Sequence, residues 1–383
     1  MPITLLIGFW LGLLQLPDAT LPFQFEIAQH DGTPVMIIQN ADERIVCDEV
    51  IMQGDSIFIK LPLYDSEFRL KVGDGTLTGN WYNHGRKVPT SLPFSATKDI
   101  LYRFPASSNV TSSHSLDGSW ETWFATGTPD SSLAIGKFNR EGNKVFGTFL
   151  TESGDHRYLE GIVDQDSLKL SVFDGTHAYL YLAKVEGDVM HGMYYAGNSY
   201  KAPFRSRKNN SITLRDPSSL AQAKGTIDFT LPDADSNLIT LTDPKYRNYI
   251  KIVQILGTWC PNCIDESKFL DSVYTHRKEE GLAVYGLAFE RSPLFSEATK
   301  GVKKMQKRLN IHYPLLIAGT NKKGEVQKII PAIDNFFSYP TTLFIDRKGQ
   351  IVKIHSGFSG PATGAEWEKY KADFNRTLNR MLR

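Results

Sequence analysis

The sequence predicts two domains, an N-terminal all-β sandwich or barrel followed by a C-terminal α/β domain. Three observations support this prediction. Residues 21–208 contain short, alternating, aromatic-rich runs separated by turn residues, and part of this region repeats internally. Beyond residue 224, apolar runs alternate with amphipathic stretches. Regularly spaced strands are typical of a sandwich or barrel, whereas alternating strands and helices form a central sheet covered by helices.

Length and composition agree with this organisation. A chain of 383 residues is expected to form about two domains. With 41% hydrophobic and 22% charged residues, the composition is that of a soluble globular protein, which excludes disordered and polytopic membrane classes. Its 43 Lys and Arg residues nearly balance 42 Asp and Glu residues, so we expect no nucleic-acid partner. Three cysteines are too few for a disulfide-rich scaffold.

The N-terminal segment contains 12 consecutive mostly apolar residues, from Leu5 to Leu16. A bilayer-spanning helix needs about 20 residues, so this run predicts a signal peptide or short anchor over residues 1–20. That assignment implies an extracytoplasmic protein, in the periplasm or cell envelope and near a membrane. No Lys or Arg precedes the run, and Pro17 lies close to the candidate cleavage site after Ala19. A buried N-terminal strand therefore stays open as an alternative.

The predicted β domain, residues 21–208, contains an apparent internal repeat. Residues 55–98 resemble residues 166–208, which predicts two related β-meanders packed together. The matched positions are Asp55-Ser56 with Asp166-Ser167, Gly79 with Gly192, Tyr82 with Tyr195, and Pro93-Phe94 with Pro203-Phe204. Residues 209–224 are polar and aperiodic, so we interpret them as a linker.

Hydrophobic periodicity predicts the elements of the α/β domain, residues 225–383. The final helix carries Trp367, Tyr370, Phe374, Leu378 and Met381 on one face. The predicted strands are 251–258, 282–290, 341–346 and 351–358, and the earlier helices are 263–280 and 296–310.

The chemical signal is the active-site loop Trp259-Cys260-Pro261-Asn262-Cys263, between a buried strand and a helix. At a helix N-terminus, free backbone N–H groups and the macrodipole stabilise a thiolate, which is the attacking form in disulfide exchange. Cys263 lies one turn further along the same face and can resolve the mixed disulfide. Pro261 suits the first helical turn because it has no N–H to lose.

Other interpretations of the CxxC motif are half of a zinc site, a purely structural disulfide, or chance spacing. The chain has no second CxxC, and Cys47 is the only other cysteine. A loop this short constrains the unfolded chain very little. We therefore favour a redox pair that needs no metal and no cofactor beyond the Cys260–Cys263 disulfide. Cys47 is more simply a buried core thiol.

Several motifs carry a family resemblance. They are Phe229-Thr230-Leu231-Pro232, GTWCPNC at 257–263, Glu266, YPTTLFID at 339–346 and GFSGPATG at 357–364. Together they make residues 225–383 resemble the thioredoxin fold, and specifically TlpA-like thiol-disulfide oxidoreductases of the AhpC/TSA-redoxin superfamily. The resemblance does not extend to residues 1–208.

The resemblance implies roles for further residues. Pro340 would be the cis proline that faces the CxxC motif, and it would bind substrate together with Tyr339 and Thr341. Glu266 would be a partly buried catalytic carboxylate that tunes the cysteine pair and handles protons. Thioredoxin has a buried Asp six residues before the first cysteine, where this chain has Gln254.

Three functions remain in competition. We expect an extracytoplasmic protein-disulfide reductase, whose partners the resemblance implies to be a disulfide-containing protein, including apocytochromes, and an upstream thiol electron donor. Alternatively, the β domain binds a ligand or partner and the redox domain senses or docks. A thiol peroxidase is less favoured, because Val253 and Gly257 stand where peroxiredoxins carry Pro and Thr or Ser.

Overall fold

The computed structural model describes residues 3–85, 90–107 and 112–383, and these divide into two units. The β unit contains the described residues up to Leu150 together with His156–Thr213. The α/β unit contains Leu214–Arg383 and also the short segment Thr151–Asp155. The division after Thr213 lies inside the predicted linker.

The first sheet of the β unit is antiparallel throughout. Its strand order is β4-β3-β2-β1-β9-β8-β7-β6-β5. Neighbours in the chain pair with each other, except that β4 and β5 lie at opposite edges and β1 joins β9. The strands are β1 (Gly8–Gln15), β2 (Thr20–His30), β3 (Thr33–Asn40), β4 (Glu43–Cys47), β5 (Glu49–Gln53), β6 (Ser56–Lys60), β7 (Ser66–Val72), β8 (Thr76–Asn83) and β9 (Thr90–Lys98).

The second sheet of the β unit closes on itself. It runs as a meander in chain order, β10 pairs with β18 at the seam, and β11 pairs with β12. Its strands are β10 (Ser119–Phe124), β11 (Ser132–Glu141), β12 (Lys144–Thr151), β14 (Leu159–Asp164), β15 (Ser167–Phe173), β16 (Ala178–Glu186), β17 (Val189–Ala196) and β18 (Tyr200–Lys208); the two-residue β13 (Gly154–Asp155) falls in the α/β unit.

The internal repeat is confirmed by strand register. Gly79 pairs with Phe94 in the first sheet, and Gly192 pairs with Phe204 in the second. The repeat extends further than the sequence comparison indicated. The indole Nε1 of Trp10 in β1 donates to the carbonyl of Leu6, and that of Trp120 in β10 donates to Leu116, both at 2.9 Å.

The two sheets pack against each other within the β unit. Phe173 of the second sheet contacts Phe23 of the first, with ring centroids 4.5 Å apart, and joins the same buried cluster. The predicted all-β domain of two related, packed meanders is therefore confirmed.

The structure places the apolar run at residues 5–16 in a central strand instead of ahead of the β domain. β1 pairs with β2 on one side and β9 on the other. Its side chains alternate, with Trp10 and Leu14 fully buried and Phe9 43% exposed. The β domain therefore begins before residue 21. The alternative of a buried N-terminal strand is the one that describes this run. Within the described residues, no helix is both long and apolar enough to cross a bilayer.

The main sheet of the α/β unit has the order β24-β23-β22-β26-β27. β22, β23 and β24 are parallel, whereas β26 and β27 are antiparallel to their neighbours. Every residue of β22 and β23 is buried, as expected for central parallel strands. The predicted α/β domain is confirmed.

Bounds in the α/β unit match the predicted elements to within a few residues. The elements that were not predicted are β19, β20, β21, β24, β25, α1 and α4. The strands are β19 (Gln222–Ala223), β20 (Thr230–Pro232), β21 (Leu238–Thr240), β22 (Ile250–Leu256), β23 (Leu282–Glu290), β24 (Leu315–Thr320), β25 (Ile333–Asn335), β26 (Thr341–Ile345) and β27 (Ile351–Ser356). The helices are α1 (Pro217–Leu220), α2 (Pro261–Arg277), α3 (Phe295–Leu309), α4 (Glu325–Ile329) and α5 (Ala365–Leu382).

The predicted linker, residues 209–224, is partly structured. Asp216 caps α1 by accepting from the N–H of Ser218, and Pro217 begins the helix. Leu220 is buried, and β19 pairs with β25. Local capping and one buried leucine therefore attach the end of this segment to the α/β unit, which its polar composition did not reveal.

We expect Trp10→Ala to destabilise the protein by about 3–5 kcal/mol, because it removes a fully buried indole and its hydrogen bond. Phe9→Ala is the matched control in the same strand, on the exposed face, and should cost less than about 1 kcal/mol. Thermal unfolding measures both. Equal transitions for the two variants would mean that β1 does not contribute to the folded core.

Candidate active site

The cysteine pair lies where the central strand β22 ends and helix α2 begins. Cys260 is the N-cap residue of α2, and its Sγ accepts the N–H of Cys263 at 3.2 Å. The two cysteines form a disulfide, with Cα atoms 5.2 Å apart. Pro261 occupies the first helical turn, as predicted.

Both cysteines are largely enclosed by the protein. Cys260 is only 7% exposed, and Cys263 is completely buried. Cys260 is still the more accessible of the two, because it caps the helix whereas Cys263 points into the first turn. The exposed fractions of the two cysteines therefore differ little. The low exposure of both results from the residues packed around the active-site loop.

A buried carboxylate that the sequence analysis missed supports the loop before the cysteines. Glu290, at the end of β23, accepts hydrogen bonds from the backbone N–H of Thr258 at 2.9 Å and from its hydroxyl at 2.8 Å. Burial raises the pKa of Glu290 above its ordinary value, although both hydrogen bonds oppose the shift. The position of Glu290 at the end of a strand is the sequence signal that could have identified it, since the carboxyl ends of neighbouring parallel strands meet at one sheet edge.

The substrate-binding residues predicted around Pro340 lie beside the active-site loop. The Tyr339–Pro340 peptide bond is cis, as the resemblance implies. The Tyr339 ring meets the Trp259 ring edge to face, with centroids 5.3 Å apart. Thr341 pairs with Ile255 of β22, and its hydroxyl donates to the carbonyl of Ser338 at 2.7 Å. Strand pairing between β26 and β22 thus brings two distant motifs together.

Two contacts fix the orientation of the Trp259 ring. Its indole Nε1 donates to the carbonyl of Phe289 at 3.0 Å. The guanidinium of Arg291 lies 5.1 Å from its ring centroid, within cation–π range. The ring is therefore oriented before any substrate binds.

Glu266 is fully buried on α2 and accepts three hydrogen bonds. The donors are Gln254 Nε2 at 2.8 Å, the hydroxyl of Thr342 at 2.8 Å and the hydroxyl of Tyr370 at 2.9 Å. Burial raises the pKa of Glu266 to about 7, because desolvation outweighs the three hydrogen bonds that favour the anion. A carboxyl group with this pKa can take up or release a proton near neutral pH.

Gln254 connects this carboxylate to the cysteine helix. Its side-chain N–H groups reach both Glu266 and the carbonyl of Cys263, the latter at 3.3 Å. Its oxygen accepts from the hydroxyls of Ser267 at 2.8 Å and Tyr313 at 3.3 Å. Because every polar atom of the amide is used, a neutral residue can occupy the position that is a buried Asp in thioredoxin.

The described residues contain no group of three or more His, Cys, Asp or Glu side chains arranged to hold a metal ion. Cys47 is completely buried in β4 of the β unit.

Residues 223–354 match the model of the AhpC/TSA family. This part of the chain has a thioredoxin-like fold. The domain is similar to the thiol-disulfide oxidoreductase ResA of Bacillus thuringiensis subsp. konkukian (strain 97-27), with 25% identity over 142 residues, 37% of this chain and 72% of the relative. It is also similar to the thioredoxin-like protein YneN of Bacillus subtilis (strain 168), with 29% identity over 130 residues, 34% of this chain and 68% of the relative.

Solved structures include a similar thiol:disulfide interchange protein of the thioredoxin family from Chlorobium tepidum TLS. It is 22% identical, has a TM-score of 0.33, and the match covers 43% of this chain and 99% of that one. The family match supports the thioredoxin-like fold, and the relatives named as thiol-disulfide oxidoreductases support that activity for this domain.

The raised pKa of Glu266 predicts a pH-dependent stability. The folded protein keeps the proton up to about pH 7, whereas an exposed carboxyl in the unfolded chain loses it near its ordinary value of 4.5. The stabilising effect of the protonated group is complete below about pH 4.5 and is lost as the pH rises through about 7, a change of about 3 kcal/mol. Glu266→Gln should remove this component.

The measurement is urea-induced unfolding of the oxidised protein between pH 4.5 and 8. The difference between wild type and Glu266→Gln isolates Glu266 from other titrating groups, including His355, whose pKa burial lowers to about 4. Glu368→Gln, with a 68% exposed side chain on α5, is the control. A constant difference across this range would show that Glu266 does not titrate there.

Proposed function

We propose that the protein is an extracytoplasmic thiol-disulfide oxidoreductase that reduces protein disulfides. The observation that carries the proposal is the position of Cys260 at the N-terminus of α2, with the Cys263 N–H directed at its sulfur. This end of the helix favours negative charge, so a reduced Cys260 is stabilised as the thiolate, which is the attacking form.

The reaction consists of two exchanges. The Cys260 thiolate attacks one sulfur of the substrate disulfide, a mixed disulfide forms, and the other substrate sulfur leaves as a thiolate. Cys263 then loses its proton and attacks Cys260 Sγ, which re-forms the Cys260–Cys263 disulfide and releases the second substrate thiol. Two electrons pass from the cysteine pair to the substrate. An upstream thiol donor restores the reduced pair.

Glu266 is the candidate proton acceptor for the second exchange. It lies one helical turn after Cys263, and its pKa of about 7 lets it accept a proton at neutral pH. Gln254 contacts both residues and keeps the carboxylate behind the buried sulfur. A water molecule between Cys263 Sγ and the Glu266 carboxylate would complete the path for the proton.

Trp259 and Tyr339 would form the surface that receives the substrate, and Pro340 would lie next to them. Thr341 is completely buried, so it would support this surface without touching the substrate. Support comes from the contact between Trp259 and Tyr339 and from the half-buried state of both rings. The proposed substrate is a disulfide-containing protein, and apocytochromes are candidates through the resemblance to TlpA-like reductases. The extracytoplasmic location rests on the same resemblance, because most of the apolar run at residues 5–16 belongs to β1 and does not support a signal peptide.

The alternative in which the β unit is a ligand-binding module has less support. The interior of the closed second sheet is filled by large side chains, among them Trp120, Phe149 and Tyr181, each at most 1% exposed. A peroxidase is also less favoured. Peroxiredoxins carry Pro and a hydroxyl-bearing residue at two positions where this chain has Val253, buried within β22, and Gly257, which lacks a hydroxyl.

The proposed order of attack predicts which variant traps its substrate. Cys263→Ala removes the resolving thiol and should accumulate a mixed disulfide through Cys260, visible as a band that disappears with reductant. Cys260→Ala should trap much less, because Cys263 is completely buried and lies within α2, where its thiolate is less stabilised than at the N-cap. Cys47→Ala, in the β unit, is the control and should behave like wild type. Equal trapping by both active-site variants would reverse the assignment, and trapping by neither, with unchanged disulfide reduction, would refute the function.

The proposed direction of electron flow predicts the reduction potential of the pair. A reductase should have a value near the approximately −270 mV of thioredoxin, whereas an oxidant would lie near the approximately −120 mV of DsbA. Equilibration with glutathione or dithiothreitol buffers, followed by thiol quantification, measures it. A value near the DsbA end would contradict the reductase assignment while leaving the exchange chemistry intact.

A further inference from the structure

The segment Thr151–Asp155 is part of the α/β unit although it lies far from the rest of that unit in sequence. It is attached to the loop after β27, residues 357–364. The Asp155 carboxylate accepts the backbone N–H of Gly360 at 2.9 Å. A Cβ on Gly357, whose φ is +82°, would lie 2.4 Å from the carbonyl oxygen of Glu152. The two stretches of backbone therefore approach closely, and only glycine permits this at position 357.

An ion pair holds the segment from its other side. Arg215 donates from Nε to Glu152 Oε1 at 2.6 Å and from Nη2 to Oε2, a two-pronged arrangement. The hydrogen bonds from Arg215 lower the pKa of Glu152, so the carboxylate is charged at neutral pH. Such a fork restricts orientation more than a single contact does.

Between these attachments, Gly154 lies directly on the active-site loop. An ideal Cβ at Gly154 would lie 1.8 Å from Nδ2 of Asn262, and its φ of +155° also favours glycine. The side-chain oxygen of Asn262 is buried, and no donor among the described residues bonds to it. The segment thus seals the Asn262 side of the CxxC motif. This contact accounts in part for the 7% exposure of Cys260.

The opposite side of the disulfide is less enclosed. Trp259 and Tyr339 are half-buried and present their ring edges there. We infer that Thr151–Asp155 is a specificity-determining segment, which closes one side of the active site and admits disulfides carried on extended, flexible polypeptide from the Trp259–Tyr339 side. Folded proteins with bulk on both sides of their disulfide are disfavoured. The inference rests on the proposed thiol-disulfide exchange.

Two substitutions release the segment independently. Gly154→Ala introduces a methyl group that cannot coexist with Asn262 in its present position. Arg215→Ala removes the ion pair, and the arginine side chain is 64% exposed. Gly142→Ala is the matched control, because Gly142 also has positive φ, +62°, but nothing lies within 4 Å of its Cβ position. It therefore reports backbone strain alone.

Each full-length protein is assayed with two probes, native insulin and a linear peptide whose single cysteine is joined to glutathione. We expect wild type and Gly142→Ala to favour the linear peptide. Gly154→Ala and Arg215→Ala should raise kcat/KM for insulin by at least about tenfold, the range that steric fit in a site commonly supplies, and change the peptide value less than about twofold. In the reduced proteins, iodoacetamide should modify Cys260 faster in both released variants, as measured by mass spectrometry.

The outcomes separate the two hypotheses. If wild type reduces neither probe, the proposed function fails, whatever the segment does. If wild type reduces a probe but the released variants match Gly142→Ala in probe preference and in Cys260 alkylation, the segment does not control access and the inference is wrong. If Gly154→Ala does not fold, Arg215→Ala decides the matter alone.

Discussion

A single buried carboxylate joins the four elements that surround the disulfide. Glu266 lies on α2, and its three hydrogen-bond donors come from β22, β26 and α5. An unpaired polar group at this depth would destabilise the fold, so each donor is needed where it is. Burial of Glu266 between these elements raises the pKa of its carboxyl group to about 7, and the three hydrogen bonds limit that rise. A substitution of Glu266 therefore changes both the packing of α2 on the sheet and the proposed proton chemistry.

The surroundings of the cysteine pair differ from side to side. Glu266 and Gln254 lie behind Cys263, in the core. Trp259 and Tyr339 form an aromatic edge, oriented by the Phe289 carbonyl and by Arg291. Thr151–Asp155 covers the remaining side at Asn262. In the proposed function, proton transfer, substrate contact and exclusion of bulky substrates are carried out by different groups around one disulfide.

The β unit shows how a duplicated meander can diverge. Both sheets keep the indole-to-carbonyl hydrogen bond and the glycine-to-phenylalanine register, so these features maintain the common curvature and packing. Only the second sheet closes by pairing β11 with β12. The chain that follows β12 also supplies five residues to the α/β unit.

Local chemistry in the sequence determined much of this protein. The CxxC motif, the strands and helices near it, the cis proline and the β repeat follow from spacing, periodicity and motif resemblance, which involve residues close in the chain. The sequence could not place residues 5–16, because a 12-residue apolar run suits a leader and a strand equally well, and only pairing with β2 and β9 distinguishes them. Nor could it show Glu290 at Thr258, Tyr370 at Glu266 or Gly154 at Asn262. Those contacts join residues 32 to 108 positions apart, and their existence depends on the packing of whole elements, which only the tertiary structure decides.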